Sequence, residues 1–158
     1  RVIELIDTMI DHKEENKMMK NEDKFNVFKE KLIADNEDKY GQEARTKHGE
    51  DSVLATYGKL RDMTEEQYEA VISLEKQLFA RLAEAMNEEQ VERQLKLEIA
   101  ELHKRWLAFY WPKYTKQAHA GLAQLYLIDE RFTHYYDTLV QDGATELLVR
   151  CIEEYTTS

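Results

Sequence analysis

Five histidines, one cysteine and a crowded set of aromatic rings are the side chains of this 158-residue sequence whose types could do chemistry. His103 and His119 fall on successive stretches of helical pattern, where two imidazoles could ligate a haem iron or metal ion or simply hydrogen-bond within a pocket or core. A di-iron bundle needs Glu three residues before the ligating His on two helices. The residues in that place are Met9, Arg45, Ala100, Lys116 and Arg131, so that chemistry is excluded. Glu130 and His134 have helical i,i+4 spacing, which an ordinary surface pair also has. Cys151 sits near Leu147 and Leu148 on an apolar face and reads as a small buried hydrophobe; being the only cysteine, it forms no intrachain disulfide. There is no HExxH pair, no cysteine cluster and no glycine-rich phosphate loop. The expectation is a protein that is not an enzyme and needs no cofactor, with a haem or metal sensor using His103 or His119 as the alternative.

The rings point elsewhere. Phe109-Tyr110-Trp111-Pro112-Lys113-Tyr114 puts four aromatics within six residues of the chain's only proline. A core helix spreads its aromatics along one stripe, whereas four rings so close together must face several directions. Pro112 disfavours helical geometry at Trp111. The irregular turn leaves two readings open: Tyr110, Trp111 and Tyr114 face a cavity, with Trp106 and Phe109 anchoring the helix behind, or all five rings belong to the core. Rings offer large contact area for little lost entropy, which suits flat or polycyclic ligands.

Charge narrows the partners. The net charge is −10, and in none of the stretches 1–63, 64–105 and 106–158 do Lys and Arg outnumber Asp and Glu. A surface that neutralises phosphates needs a concentrated excess of base, so direct nucleic-acid binding by this chain is not expected. Neither a signal peptide nor an apolar run long enough to span a bilayer is present, which points to a cytoplasmic protein without membrane contact. The sequence starts with Arg, already inside a helical pattern, as a piece of a longer protein would.

The elements that must position these residues are helices throughout; only five glycines and one proline interrupt the chain. Val2, Leu5, Ile6, Met9 and Ile10 form a short stripe in residues 1–20, too short to stand alone and in need of a partner helix. Residues 22–48 place Phe25, Phe28, Leu32 and Tyr40 on one face of a helix otherwise rich in Lys, Glu, Asp and Asn, weakly held until something docks on its phenylalanines. A short helix follows through Val53, Tyr57 and Leu60. Thr64 and Gln67 form a capping box for the strongest amphipathic helix, with Tyr68, Val71, Ile72, Leu78, Phe79 and Leu82. The next runs from about Glu88 to Tyr110 with Ile99, Leu102 and Trp106. Thr115 caps a helix bearing His119 and Tyr126, Asp129 precedes one bearing Phe132 and Tyr136, and Asp142-Gly143 leads into the last.

The run His119-AGLAQLYLIDERFTHYY-Asp137, with His103-Lys-Arg-Trp106 before it, resembles the TipAS antibiotic-recognition domain of MerR-family transcription regulators. KFNVFKEKLIADNEDKYGQEARTKHGE from Lys24 to Glu50 and MTEEQYE at residues 63–69 resemble Gram-positive members of that family. The resemblance spans about residues 22–155. It implies an all-α, globin-like sensor domain over 63–158, mobile lid helices over 22–62, and over 1–20 the end of a coiled-coil helix that pairs two subunits. The DNA-binding domain, and through it promoter DNA and RNA polymerase, would lie outside this chain. It implies reversible binding of a bulky hydrophobic antibiotic or drug by His103, Trp106, Tyr110, Trp111, Tyr114, His119, Tyr126, Phe132 and Tyr136, with Phe25 and Phe28 from the lid. In the best-known member a cysteine in the aromatic turn adds covalently to a dehydroalanine of a thiopeptide; here Tyr114 holds that place, and a phenol is a far poorer nucleophile. A purely structural dimerisation module remains a further alternative.

Overall fold

The computed structural model describes residues 22–158. The expected dimerisation helix of residues 1–20 lies outside them. Among the described residues seven helices follow one another: α1 (Glu22–His48), α2 (Glu50–Asp62), α3 (Glu65–Met86), α4 (Arg93–Ala108), α5 (Lys116–Ile128), α6 (Glu130–Leu139) and α7 (Ala144–Thr156). There is no strand among the described residues, and the fold is all-α as the sequence predicts. None of these helices is long and apolar enough to cross a membrane.

The punctuation follows local chemistry. Gly49 separates α1 from α2 at φ 85°, a conformation that costs glycine little and other residues much. Thr64 and Gln67 make the predicted capping box: the Gln67 amide donates to Thr64 Oγ1 at 3.1 Å, and the Thr64 amide to Gln67 Oε1 at 2.9 Å. Thr115 Oγ1 accepts from the Ala118 amide at 3.0 Å, and Asp129 from the Arg131 amide at 3.0 Å. Gly143 takes φ 94° before α7.

One boundary needs correction. The helix expected from about Glu88 to Tyr110 runs only from Arg93 to Ala108. At its start, Glu88 is spent in ending α3: its amide donates to Ala85 O at 3.1 Å, and that of Asn87 to Glu84 O at 3.2 Å, the tight last turn of a helix. The first bond of α4 is from Lys96 N to Glu92 O. At its end, the influence of Pro112 reaches further back than the residue immediately before it.

The described chain divides into two compact units, one of residues 22–69 with Phe109–Pro112, the other of Ala70–Ala108 with Lys113–Ser158. In the first, α1 packs on α2, and the reason α1 looks weakly amphipathic becomes plain: its buried face carries polar residues with fixed partners. Lys29 is buried, and its ammonium donates to the main-chain oxygens of Arg61 and of Met63, the latter at 2.8 Å. A cation there meets the negative end of α2. Asn36 Nδ2 donates to the Tyr57 hydroxyl at 2.9 Å, which in turn donates to Glu37 at 3.1 Å. Arg45 bonds Glu37 on its own helix and Glu50 across the Gly49 turn.

In the second unit α7 is the hub. It packs on α4, α5 and α6 and buries Leu147, Leu148, Val149, Cys151 and Ile152. Its first turn is held by a carboxylate from the preceding helix: Asp137 accepts from the amides of Gly143 (3.1 Å) and Thr145 (2.9 Å) and from the Thr145 hydroxyl (2.9 Å). Burial alone would push this carboxyl up, but these donors outweigh it and hold it below the ordinary Asp value. Between α3 and α6, the hydroxyl of Tyr135 donates to the buried Glu75 at 2.5 Å, and Phe79 packs edge-on against Tyr135 and Tyr136.

Candidate functional site

In the second unit, α4 to α6 build an unbroken chain of polar contacts from five side chains. The Tyr114 hydroxyl lies 2.7 Å from His119 Nδ1; His119 Nε2 lies 2.8 Å from His103 Nδ1; His103 Nε2 lies 2.9 Å from the Tyr126 hydroxyl; and that hydroxyl lies 3.2 Å from that of Tyr136. His103, His119, Tyr126 and Tyr136 are buried, and Tyr114 is half-buried. The two imidazoles stack with centroids 5.0 Å apart and planes 7° from parallel.

Burial dictates the protonation of this chain. It pushes His119 down to about 4, helped by the charge of Lys104, and with the charge of His119 it holds His103 well below the ordinary histidine value. Both rings are therefore neutral at pH 7, each with one N–H. Burial, then the charges of Tyr155 and Glu101, raises the Tyr114 phenol to about 12. A chain of neutral groups that each give one hydrogen must run in one direction. If Tyr114 donates to His119, then His119 donates to His103, His103 to Tyr126 and Tyr126 to Tyr136; the alternative reverses every bond. One choice sets all four.

All four ring nitrogens of the pair are thus engaged. A haem iron or metal ion on either histidine would have to displace a partner. Among the described residues no group of three or more His, Cys, Asp and Glu is placed to hold a metal ion.

Of the eleven ligand contacts predicted from the sequence, seven come together in this unit. Trp106 packs 5.7 Å from His103, and Phe132 lies 4.2 Å from Tyr126, completing a cluster with Tyr114, His119 and Tyr136. The other four belong to the first unit. Phe25 and Phe28 are buried with Tyr68 in a three-ring cluster, centroids 5.5 to 6.3 Å apart. Tyr110 and Trp111 are buried too, and Lys59 Nζ donates to the Trp111 carbonyl at 2.9 Å.

None of the eleven lines the groove that opens between α3 and α4 in the second unit. This groove holds about 590 Å³, with Tyr155 of α7 in its wall. Tyr155 joins it to the polar chain: its hydroxyl donates to Glu101 at 2.8 Å, and its ring meets that of His119 at 6.2 Å and 67°. The sequence signal for the groove was Leu97, which is turned some 160° around α4 from Ile99 at about 100° per residue. It stands apart from the stripe through Ile99, Leu102 and Trp106.

An all-α unit with a ring cluster, a neutral polar chain and a groove of small-molecule size is the architecture of a binding domain. The family model of the TipAS antibiotic-recognition domain matches residues 40–155, and the chain belongs to that family. It is a family of ligand recognition rather than of catalysis. No curated protein and no solved structure matches the chain.

Proposed function

We propose that the chain is the ligand-sensing part of a MerR-type transcription activator of Gram-positive type, reversibly binding a bulky hydrophobic antibiotic or drug in the cytoplasm. The match to the antibiotic-recognition family over residues 40–155 carries this reading. Its finer parts rest on the resemblance of Lys24 to Glu50 and His119 to Asp137 to such regulators: a homodimer through residues 1–20, and promoter DNA and RNA polymerase reached through a separate DNA-binding domain. The net charge of −10 fits a chain that leaves DNA contact to another domain.

The ligand contacts are taken for each unit by itself. In the second they are His103, Trp106, Tyr114, His119, Tyr126, Phe132 and Tyr136; in the first, Phe25, Phe28, Tyr110 and Trp111. Nearly all are buried, so a ligand that reaches them must favour a more open arrangement. It shifts the equilibrium only by its differential affinity for the two arrangements, and a tight binder indifferent to them would not activate.

A thermal-shift screen of the whole chain against thiopeptides and other bulky hydrophobic antibiotics tests the reading. A ligand of the folded state present at a thousand times its Kd stabilises by about 4 kcal/mol, a rise in Tm of roughly 10 °C. Absence of any shift across the collection counts against a sensor.

A further inference from the structure

The groove between α3 and α4 has features that the ring cluster lacks: it is open, concave and only partly satisfied. Ala80, Leu97 and Leu102 give it apolar surface, and Gln77 and Gln94 add amides. Its walls are tied together, because Arg81 of α3 bonds Glu98 of α4 and also Glu84 on its own helix. Glu101 is engaged by Tyr155. Arg105 differs from these. It lines the groove and is exposed, and its guanidinium makes no hydrogen bond or ion pair among the described residues.

Size separates the occupants. A helix about 10 Å across needs roughly 80 Å³ per ångström of its length, so a groove of about 590 Å³ takes under one and a half turns. That is too little for a partner helix to hold on by, whereas it lies inside the ordinary range of roughly 300–1,000 Å³ for small-molecule sites. Charge selects further: a neutral apolar compound would leave Arg105 unused, while an anionic or strongly accepting group would pair with its planar fork.

We propose that this groove binds a flat, largely apolar molecule carrying one anionic or strongly accepting group, with its body on Ala80, Leu97 and Leu102 and that group on Arg105. The biological meaning of the site rests on the sensor reading; its existence does not.

The probe is 8-anilinonaphthalene-1-sulfonate, a fused aromatic body with one sulfonate, titrated by its fluorescence into the whole chain. One saturable site is expected, weakened roughly tenfold in Arg105→Gln and abolished in Ala80→Trp, which fills the groove from an exposed position. Equal binding in wild type and Ala80→Trp, or no saturable binding at all, overturns the proposal. So does sedimentation showing a dimer that Ala80→Trp dissociates, since a second copy would then be the occupant. An antibiotic that binds wild type and Ala80→Trp alike leaves the sensor reading standing and removes the groove from it. A groove confirmed by the probe, with no antibiotic bound anywhere, supports the site and removes the sensor reading.

Discussion

His103 Nδ1 and His119 Nε2 lie 2.8 Å apart with their rings nearly parallel, and the two imidazoles share a single hydrogen. Protonating both rings would place two donors nose to nose, and burial already penalises the first added charge. The fold therefore favours neutral histidines, and acid attacks the pair. An unfolded histidine takes up its proton near pH 6.5, whereas His119 in the fold does so only at about 4. The unfolded chain binds more protons between those values, so stability is full above pH 6.5 and falls as the pH drops towards 4. For His119 alone the loss is roughly 3 kcal/mol. Urea unfolding at a series of pH values checks this; a midpoint that does not move between pH 7 and pH 4.5 contradicts it.

Tyr126 stands in the middle of the polar chain, and Tyr126→Phe keeps its packing on Phe132 while leaving His103 Nε2 and the Tyr136 hydroxyl each short of a partner. Both are buried, so the substitution is expected to cost roughly 1–3 kcal/mol. Denaturant unfolding measures it, and a change under about 0.5 kcal/mol would show the chain to be energetically idle.

What the sequence could show divides along a physical line. Caps and breakers act over a few residues, so Thr64 with Gln67, Thr115, Asp129, Gly143 and Pro112 announced most helix boundaries. Stripes of apolar residues announced the helices themselves. The start of α4 was missed because the acidic run around Glu88 has the charge of a first helical turn, whereas the Glu88 amide closes the last turn of α3. The partners of Lys29 and Asn36 were out of reach, since they lie on α2 and the segment after it, more than 20 residues away; without them α1 looked too polar to be held. For the site, types and helices were readable and distances were not. His103 and His119 stood out as candidates, but their direct contact depends on how α4 and α5 cross.

Lys29→Met keeps an unbranched apolar side chain and removes the ammonium, which lies 4.9 Å from the Phe25 ring centroid and holds the end of α2. A buried charge-assisted pair of bonds of this kind is worth roughly 1.5–3 kcal/mol. The loss is expected to fall locally, with faster amide hydrogen exchange in α1 and α2 and little change in α7. Uniform acceleration from α1 through α7 would argue against a pin confined to the first unit.

Tyr114 is a poor nucleophile twice over: its phenol is raised to about 12, and its oxygen is held by His119. Incubation with a thiopeptide that carries dehydroalanine is expected to leave the mass of the protein unchanged after denaturation. A stable adduct mapped to Tyr114 would show that the turn is activated by something other than the groups now around it.

The claim that this chain senses a bulky hydrophobic compound is met most directly by its own fluorescence. Trp106 and Trp111, its two tryptophans, are both buried and both among the proposed contacts. Titration with thiopeptides and other large hydrophobic antibiotics is expected to quench or shift their emission saturably for one chemical class. An unchanged spectrum across the whole collection, from protein whose circular dichroism is that of a folded helical chain, would contradict it.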